Sequence, residues 1–188
     1  MKEIMIGVSA RHIHFNQETF EFLFGKSAKL HKLKDLRQPG AFSCVETVSI
    51  SSSNFCFDNV RIVGPFKPHN QIEISSSDAY LLGVQAPINK TGDFTKASTL
   101  KVTTGIKSIV LENSVIIPQR HIHVSFEEAN QMGWKENQKV SVRIDGIKGG
   151  ILDNVFIRTG ENYNLELHID LDDSNAFKIY TGDFVKLV

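Results

Sequence analysis

Two pairs of histidines stand in identical short motifs that could bind metal ions. The motif R-H-I-H occupies residues 11–14 and recurs at residues 120–123. In a β-strand, residues i and i+2 face the same side with Cα atoms about 6.5 Å apart, so each pair of imidazoles can converge on one ion. The repeated motif therefore predicts two metal sites.

Each histidine pair has a matching third ligand farther along the chain. Glu73, in Q-I-E-I, corresponds to His168, in E-L-H-I. The simplest grouping gives one ion His12, His14 and Glu73, and the other ion His121, His123 and His168. Imidazoles and a carboxylate suit zinc, and three protein ligands leave positions open for water or substrate. Cobalt, iron and nickel fit the same ligands. Because the first set has Glu73 where the second has His168, the ligands of the first ion carry less positive charge than those of the second. The two ions can therefore take different roles.

Further matches between the two halves indicate a duplication. D-N-V-x-I occurs at residues 58–62 and 153–157, and T-G-D-F occurs at residues 91–94 and 181–184. The motifs follow one another in the same order in each half. We therefore divide the chain into pseudo-repeats at residues 1–94 and 95–188.

Alternating apolar residues and turn residues predict a chain dominated by strands. Hairpins are expected around the turns at residues 51–54, 104–107 and 145–150. Two residues beyond the last metal ligand of each strand stands a good helix N-cap, namely Asn16, Ser75, Ser125 and Asp170. Each ligand strand is therefore predicted to lead directly into a short helix, a junction whose unpaired N–H groups suit anions.

Composition restricts the partners and the location of the protein. Its 21 basic and 21 acidic side chains give no overall field that would attract nucleic acid or an anionic membrane. We therefore expect a small ligand. Cys44 and Cys56 lie in no nucleophile motif, and no secretion signal or membrane span is recognisable, so we expect a cytoplasmic protein with reduced thiols.

Three basic residues adjoin the predicted metal sites. Arg11 and Arg120 immediately precede the histidine pairs, and Lys67 lies shortly before Glu73. Ordinary surface charge and phosphate binding explain them equally well at this point.

These motifs together resemble the PduL-type phosphate propanoyltransferases, a family of phosphate acyltransferases. The matching segments are V-S-A-R-H-I-H at 8–14, Q-P-G at 38–40, Q-I-E-I-S at 71–75, R-H-I-H at 120–123 and L-E-L-H-I-D at 165–170. The resemblance extends from Val8 to the C-terminus. It is specific because all the segments occur together and in order.

The resemblance implies a mainly β fold of two small, interlaced β-barrels with short capping α-helices, in which the first strand packs with the second lobe. It implies a homodimer with two metal ions, commonly zinc. The ion at Glu73 would meet the sulfur of coenzyme A, and the ion at His168 would be exposed to water or phosphate. The reaction implied is reversible: acyl-CoA and phosphate give acyl phosphate and CoA, with an acetyl or propanoyl group transferred directly.

The chain departs from the family pattern in two ways. Lys67 stands where the family usually has arginine, so a single ammonium group must replace a bidentate phosphate contact. The R-H-I-H motif begins at residue 11, which leaves no room for the N-terminal extension that targets some members to microcompartments, and a free cytoplasmic enzyme is expected. Tyr80 is a candidate for stacking on the CoA adenine, with helix packing as the alternative.

Two other functions fit the same residues. A dinuclear metallohydrolase of acyl or phosphate esters would use water in place of phosphate. A non-catalytic binding module would use the ions only to hold its fold together.

Overall fold

The computed structural model describes residues 2–188 and consists mainly of β-strands. The strands are β1 (Glu3–Ser9), β2 (His12–His14), β3 (Lys32–Asp35), β4 (Phe42–Ser51), β5 (Cys56–Gly64), β6 (Gln71–Glu73), β7 (Ile88–Asn89), β8 (Ser98–Thr103), β9 (Ser108–Pro118), β10 (His121–Ser125), β11 (Lys139–Ile144), β12 (Gly150–Gly160), β13 (Glu166–Asp170) and β14 (Phe184–Leu187). The helices are α1 (Gln17–Phe24), α2 (Ser76–Leu82), α3 (Phe126–Gln131) and α4 (Leu171–Phe177). Within residues 2–188, each helix is too short or too polar to cross a membrane.

The chain forms two compact units, each with one closed six-stranded barrel. One unit contains residues 2–10 and 119–188, and its barrel has the strand order β1-β13-β10-β12-β11-β14. The other contains residues 11–118, and its strands close in the order β4-β5-β2-β6-β9-β8. The mainly β fold with two small barrels and short helices is therefore confirmed. The pseudo-repeats at 1–94 and 95–188 describe the sequence and stay a prediction.

The two barrels share one topology. Each histidine strand lies between a parallel neighbour, β5 or β12, and the antiparallel strand that carries the third ligand, β6 or β13. The barrels are closed by β9, parallel to β6, and by β1, parallel to β13. Because β1 directly precedes β2 and β9 directly precedes β10, each histidine motif follows a strand that closes the barrel of the other unit. This exchange of strands interlaces the two halves of the sequence.

Strand alternation decides which side chains enter the barrel cores. Ile13 and Ile72 are fully buried in one core, and Ile122 and Leu167 are fully buried in the other. Burying each such side chain stabilises the fold by about 1.5–3 kcal/mol. The histidines that flank Ile13 and Ile122 consequently lie on the opposite face of the barrel wall.

The four predicted helix starts are confirmed. Asn16, Ser75, Ser125 and Asp170 are the N-caps of the four helices, and each side chain accepts a hydrogen bond from the backbone three residues on. Helix α2 has the reciprocal capping box between Ser75 and Asp78. It ends at Gly83, whose φ of 66° suits a residue without a side chain. The caps fix the position at which each ligand strand ends.

Candidate metal sites

The first predicted ligand set comes together on neighbouring strands. The antiparallel register of β2 and β6 places His12 opposite Glu73, with 3.5 Å between His12 Nε2 and Glu73 Oε2. His14 Nδ1 hydrogen-bonds the carbonyl oxygen of Val63 at 2.9 Å, which leaves Nε2 for an ion. One ligand atom from each of these three residues lies within 4.8 Å of the others. The geometry suits a single divalent cation.

A loop and a neighbouring amide hold the Glu73 carboxylate in place. Glu73 Oε1 accepts hydrogen bonds from Gln71 Nε2 at 2.5 Å and Thr91 Oγ1 at 2.9 Å. Gln71 Oε1 in turn accepts a hydrogen bond from the Gly92 backbone N–H at 2.8 Å. The first T-G-D-F segment therefore orients a predicted metal ligand, which the sequence did not reveal.

The second predicted ligand set also comes together. His121 Nε2 and His123 Nε2 lie 3.0 Å apart, and the His168 ring centroid is 4.6 Å from that of His123. His121 Nδ1 hydrogen-bonds the Gln119 carbonyl oxygen at 2.7 Å, so its Nε2 is the atom presented to an ion. The ligand atoms of the three histidines also lie within 4.8 Å of one another.

Burial keeps key imidazoles in the form that binds metal. The pKa of His14 is lowered to about 4, chiefly by burial and further by the nearby charge of His12. Burial, with the charges of His121 and His168, also holds the pKa of His123 far below its ordinary value. His123 Nδ1 is buried without a hydrogen-bond partner among the described residues. Converging imidazoles, with a buried carboxylate in one set, fit zinc chemically.

Lys67 lies near the first ligand set. Its backbone N–H donates to the Phe15 carbonyl oxygen at 2.8 Å, and its charge contributes to lowering the pKa of His14. The Lys67 side chain is exposed. An exposed cation near the predicted ligand His14 could bind an anion.

Arg11 and Arg120 form equivalent ion pairs with helix residues. Arg11 Nη2 donates to Asp78 Oδ1 at 2.6 Å, whereas Arg120 donates through Nε and Nη2 to both oxygens of Asp173 at 2.6 Å. Each aspartate belongs to the first turn of the helix that follows the third ligand. The two arginines thus tie the histidine strands to the helices beside them.

We expect Arg120→Ala to lower the free energy of unfolding of the metal-free protein by about 1–2 kcal/mol, because Asp173 is mostly buried and would lose its partner. Urea unfolding measures the change, and a double-mutant cycle with Asp173→Ala isolates the pair. Lys186→Ala is the control because it breaks the exposed pair with Asp145, and we expect no measurable change. Equal effects of the two substitutions would contradict a structural role for the Arg120 pair.

Tyr80 does not pack against a helix. It lies on α2 with 85% of its surface exposed, because the short helix turns Asp78, Ala79 and Leu82 inward instead. The helix-packing alternative is therefore wrong. Its contact with CoA stays a prediction.

Several residues of these sites were missed in the sequence. Arg158 is in register with His123 on the parallel strand β12, and its charge lowers the pKa of that histidine. The Tyr163 ring contacts His123 edge-on, with 4.5 Å between ring centroids. Gln71 and Glu166 stand two residues before the third ligands, so strand alternation alone placed them on the ligand face.

Comparison with known proteins identifies the family of this chain. A sequence model of the phosphate propanoyltransferases matches residues 5–180. A phosphate propanoyltransferase of Thermotoga maritima is 39% identical over 186 residues, which cover 98% of this chain and 89% of that protein. A phosphate propanoyltransferase of Sebaldella termitidis is 37% identical, and the match covers 96% of this chain and 85% of that protein. One of Clostridioides difficile is 32% identical, and the match covers 98% of this chain and 88% of that protein. The chain belongs to the phosphate propanoyltransferase family, whose members are acyltransferases.

Proposed function

We propose that the protein is a metal-dependent phosphate acyltransferase that moves a short acyl group, propanoyl or acetyl, between coenzyme A and inorganic phosphate. Two divalent ions, most simply Zn²⁺, are proposed to serve the reaction. The observation that carries the proposal is the pair of converging ligand sets in a chain of this family. His12, His14 and Glu73 would hold one ion, and the three histidines of the other unit would hold the second.

In the proposed reaction, a phosphate oxygen attacks the thioester carbonyl carbon. The new C–O bond forms as the C–S bond breaks, and CoA leaves as its thiolate, so the products are acyl phosphate and CoA. When bound, Zn²⁺ supplies Lewis acidity that stabilises the thiolate and polarises the carbonyl. Lys67 contributes an ammonium group that binds and orients phosphate near His14.

Arg11 and Arg120 remain predicted phosphate contacts within this proposal. Each would have to bind phosphate with a guanidinium that already holds an aspartate. Lys67 has no carboxylate partner among its described contacts, so it can bind phosphate without giving one up. We therefore rank Lys67 first among the proposed phosphate contacts. Tyr80 is exposed enough to stack on the adenine of CoA. A cytoplasmic homodimer is also proposed, and sedimentation equilibrium tests its mass.

The decisive experiment measures CoA release from acetyl-CoA and propanoyl-CoA, with and without phosphate, on protein of known metal content. We expect release only with phosphate, together with acyl phosphate trapped as its hydroxamate. Release that needs no phosphate would overturn the transferase proposal and favour hydrolysis. Removing the metal with a chelator should abolish turnover and leave the barrels folded, whereas global unfolding would favour a purely structural role.

The two cysteines should play no part in the reaction. Cys44 is fully buried, and burial raises the pKa of its thiol to about 11. Cys56 is exposed, but residual desolvation and the neighbouring Asp58 carboxylate also raise its pKa. Because a nucleophilic cysteine needs a lowered pKa, Cys56→Ser is expected to leave turnover unchanged. A thiol reagent should modify one cysteine in the native protein and two after denaturation, and loss of activity in Cys56→Ser would contradict direct transfer to phosphate.

A further inference from the structure

A buried carboxylate lies against the third histidine of the second ligand set. Glu166 is only 5% exposed, and its Oε2 is 2.8 Å from His168 Nε2. The two residues are separated by one position on β13, so they face the same side of the strand as the metal ligands. The Glu166 carboxylate is therefore placed to accept a hydrogen bond from the His168 ring.

Gly7 leaves the space that this carboxylate occupies. It is in register with His168 on the parallel strand β1. A Cβ atom at Gly7 would lie 2.7 Å from Glu166 Oε1 and 3.1 Å from His168 Cδ2. A side chain at residue 7 would therefore force the Glu166 carboxylate to shift from its present place beside His168.

The other barrel has an amide at the equivalent position. Glu166 pairs with His123 across the strands as Gln71 pairs with His14. Gln71 donates to the ligand carboxylate of Glu73, whereas Glu166 contacts a ligand imidazole. Each site therefore contains one carboxylate, as a ligand in one and beside a ligand in the other. The difference in charge between the two sites is smaller than the two ligand sets alone indicate.

We propose that Glu166 is a positioning residue of the three-histidine site: it fixes the His168 ring and supplies negative charge that strengthens binding of a divalent cation. The inference rests on the proposed function of His121, His123 and His168 as metal ligands. A carboxylate hydrogen-bonded to a ligand imidazole orients the ring and raises its basicity, and losing such a partner typically weakens metal binding about 10–100-fold. Glu166→Gln keeps the shape of the side chain and removes its charge.

The test is a Co²⁺ titration of the full-length, metal-stripped protein, followed by visible absorption. His12→Ala serves as the background so that only the three-histidine site is observed. We expect Glu166→Gln to weaken Co²⁺ binding about 10–100-fold. We also expect it to shift the absorption bands, because the ligand field that His168 exerts on Co²⁺ changes. Glu127→Gln, the same substitution at an exposed helix position, should alter neither quantity.

Gly7→Ala tests the contact from the opposite strand. Its new methyl group would displace the Glu166 carboxylate, so it should weaken Co²⁺ binding in the same direction, and thermal unfolding in chelator verifies that both variants fold. Unchanged affinity and absorption in folded Glu166→Gln would overturn the role of Glu166, and weaker binding in both variants would support it. Failure of the unsubstituted protein to bind Co²⁺ would instead overturn the proposed metal function.

Discussion

Replacing His123 by alanine is expected to abolish phosphate-dependent CoA release while the barrels stay folded. The substitution removes one of three proposed ligands from a site where His123 is 7% exposed and its neutral imidazole faces His121, with 3.0 Å between their Nε2 atoms. An ion's contribution to an acyl-transfer transition state amounts to several kcal/mol, so we expect turnover to fall about 10³-fold or more. Steady-state rates and the zinc content of the purified variant measure the effect.

His31→Ala is the matched control for this substitution. His31 is exposed and pairs only with Glu46 at 2.5 Å among its described side-chain contacts, so the same chemical change should leave rate and metal content unchanged. Circular dichroism separates a lost ion from a lost fold. Normal turnover and full metal content in His123→Ala would refute the assignment of the second ligand set.

The convergence of both proposed ligand sets could be predicted because it depends on local rules. Residues two apart on a strand share a face, so His12 with His14 and His121 with His123 had to converge once strands formed. The third ligands required only that the repeat be followed in order. Helix N-caps are equally local, since Asn16 needs a backbone partner only three residues away.

The exchange of strands and the contacts of the T-G-D-F segments depend instead on residues that are far apart in the sequence. The exchange of β1 and β9 joins segments far apart in sequence. The family resemblance implied interlaced barrels, but the alternation of β1 does not by itself reveal its partner. The repeated T-G-D-F segments have different roles: Thr91 donates to Glu73, whereas Thr181 accepts from the backbone N–H of Val8. The sequence similarity of these segments indicated the duplication but could not indicate how their contacts had diverged.

The arginines of the repeated R-H-I-H motif illustrate the same limit. Phosphate binding and ordinary surface charge were the explanations open to the sequence. The structure shows a third use, because Arg11 and Arg120 pair with the equivalent helix residues Asp78 and Asp173. The equal spacing of these aspartates behind the third ligands was visible in the repeat, but their partners depend on the folded chain.

Lys67→Ala is expected to reduce kcat/KM for phosphate about 10²–10³-fold, as for the loss of one charged group that stabilises a transition state. The side chain is exposed and lies close enough to His14 for its charge to lower the pKa of that imidazole. Its loss should therefore leave the fold and the zinc content intact. The KM for acyl-CoA should change much less than the KM for phosphate, which initial rates at varied phosphate and acyl-CoA will show.

Lys67→Arg and Lys101→Ala complete the test. Arginine keeps the positive charge and can bind phosphate through two N–H groups, so Lys67→Arg should retain or exceed the original kcat/KM for phosphate. Lys101 is exposed on β8, and its replacement controls for the loss of one surface charge. If Lys67→Ala and Lys101→Ala lowered kcat/KM for phosphate equally, Lys67 would be ordinary surface charge, and the phosphate contact would pass to Arg11 or Arg120. A selective loss in Lys67→Ala, rescued by arginine, would show that one ammonium group performs the task for which the family usually has a guanidinium.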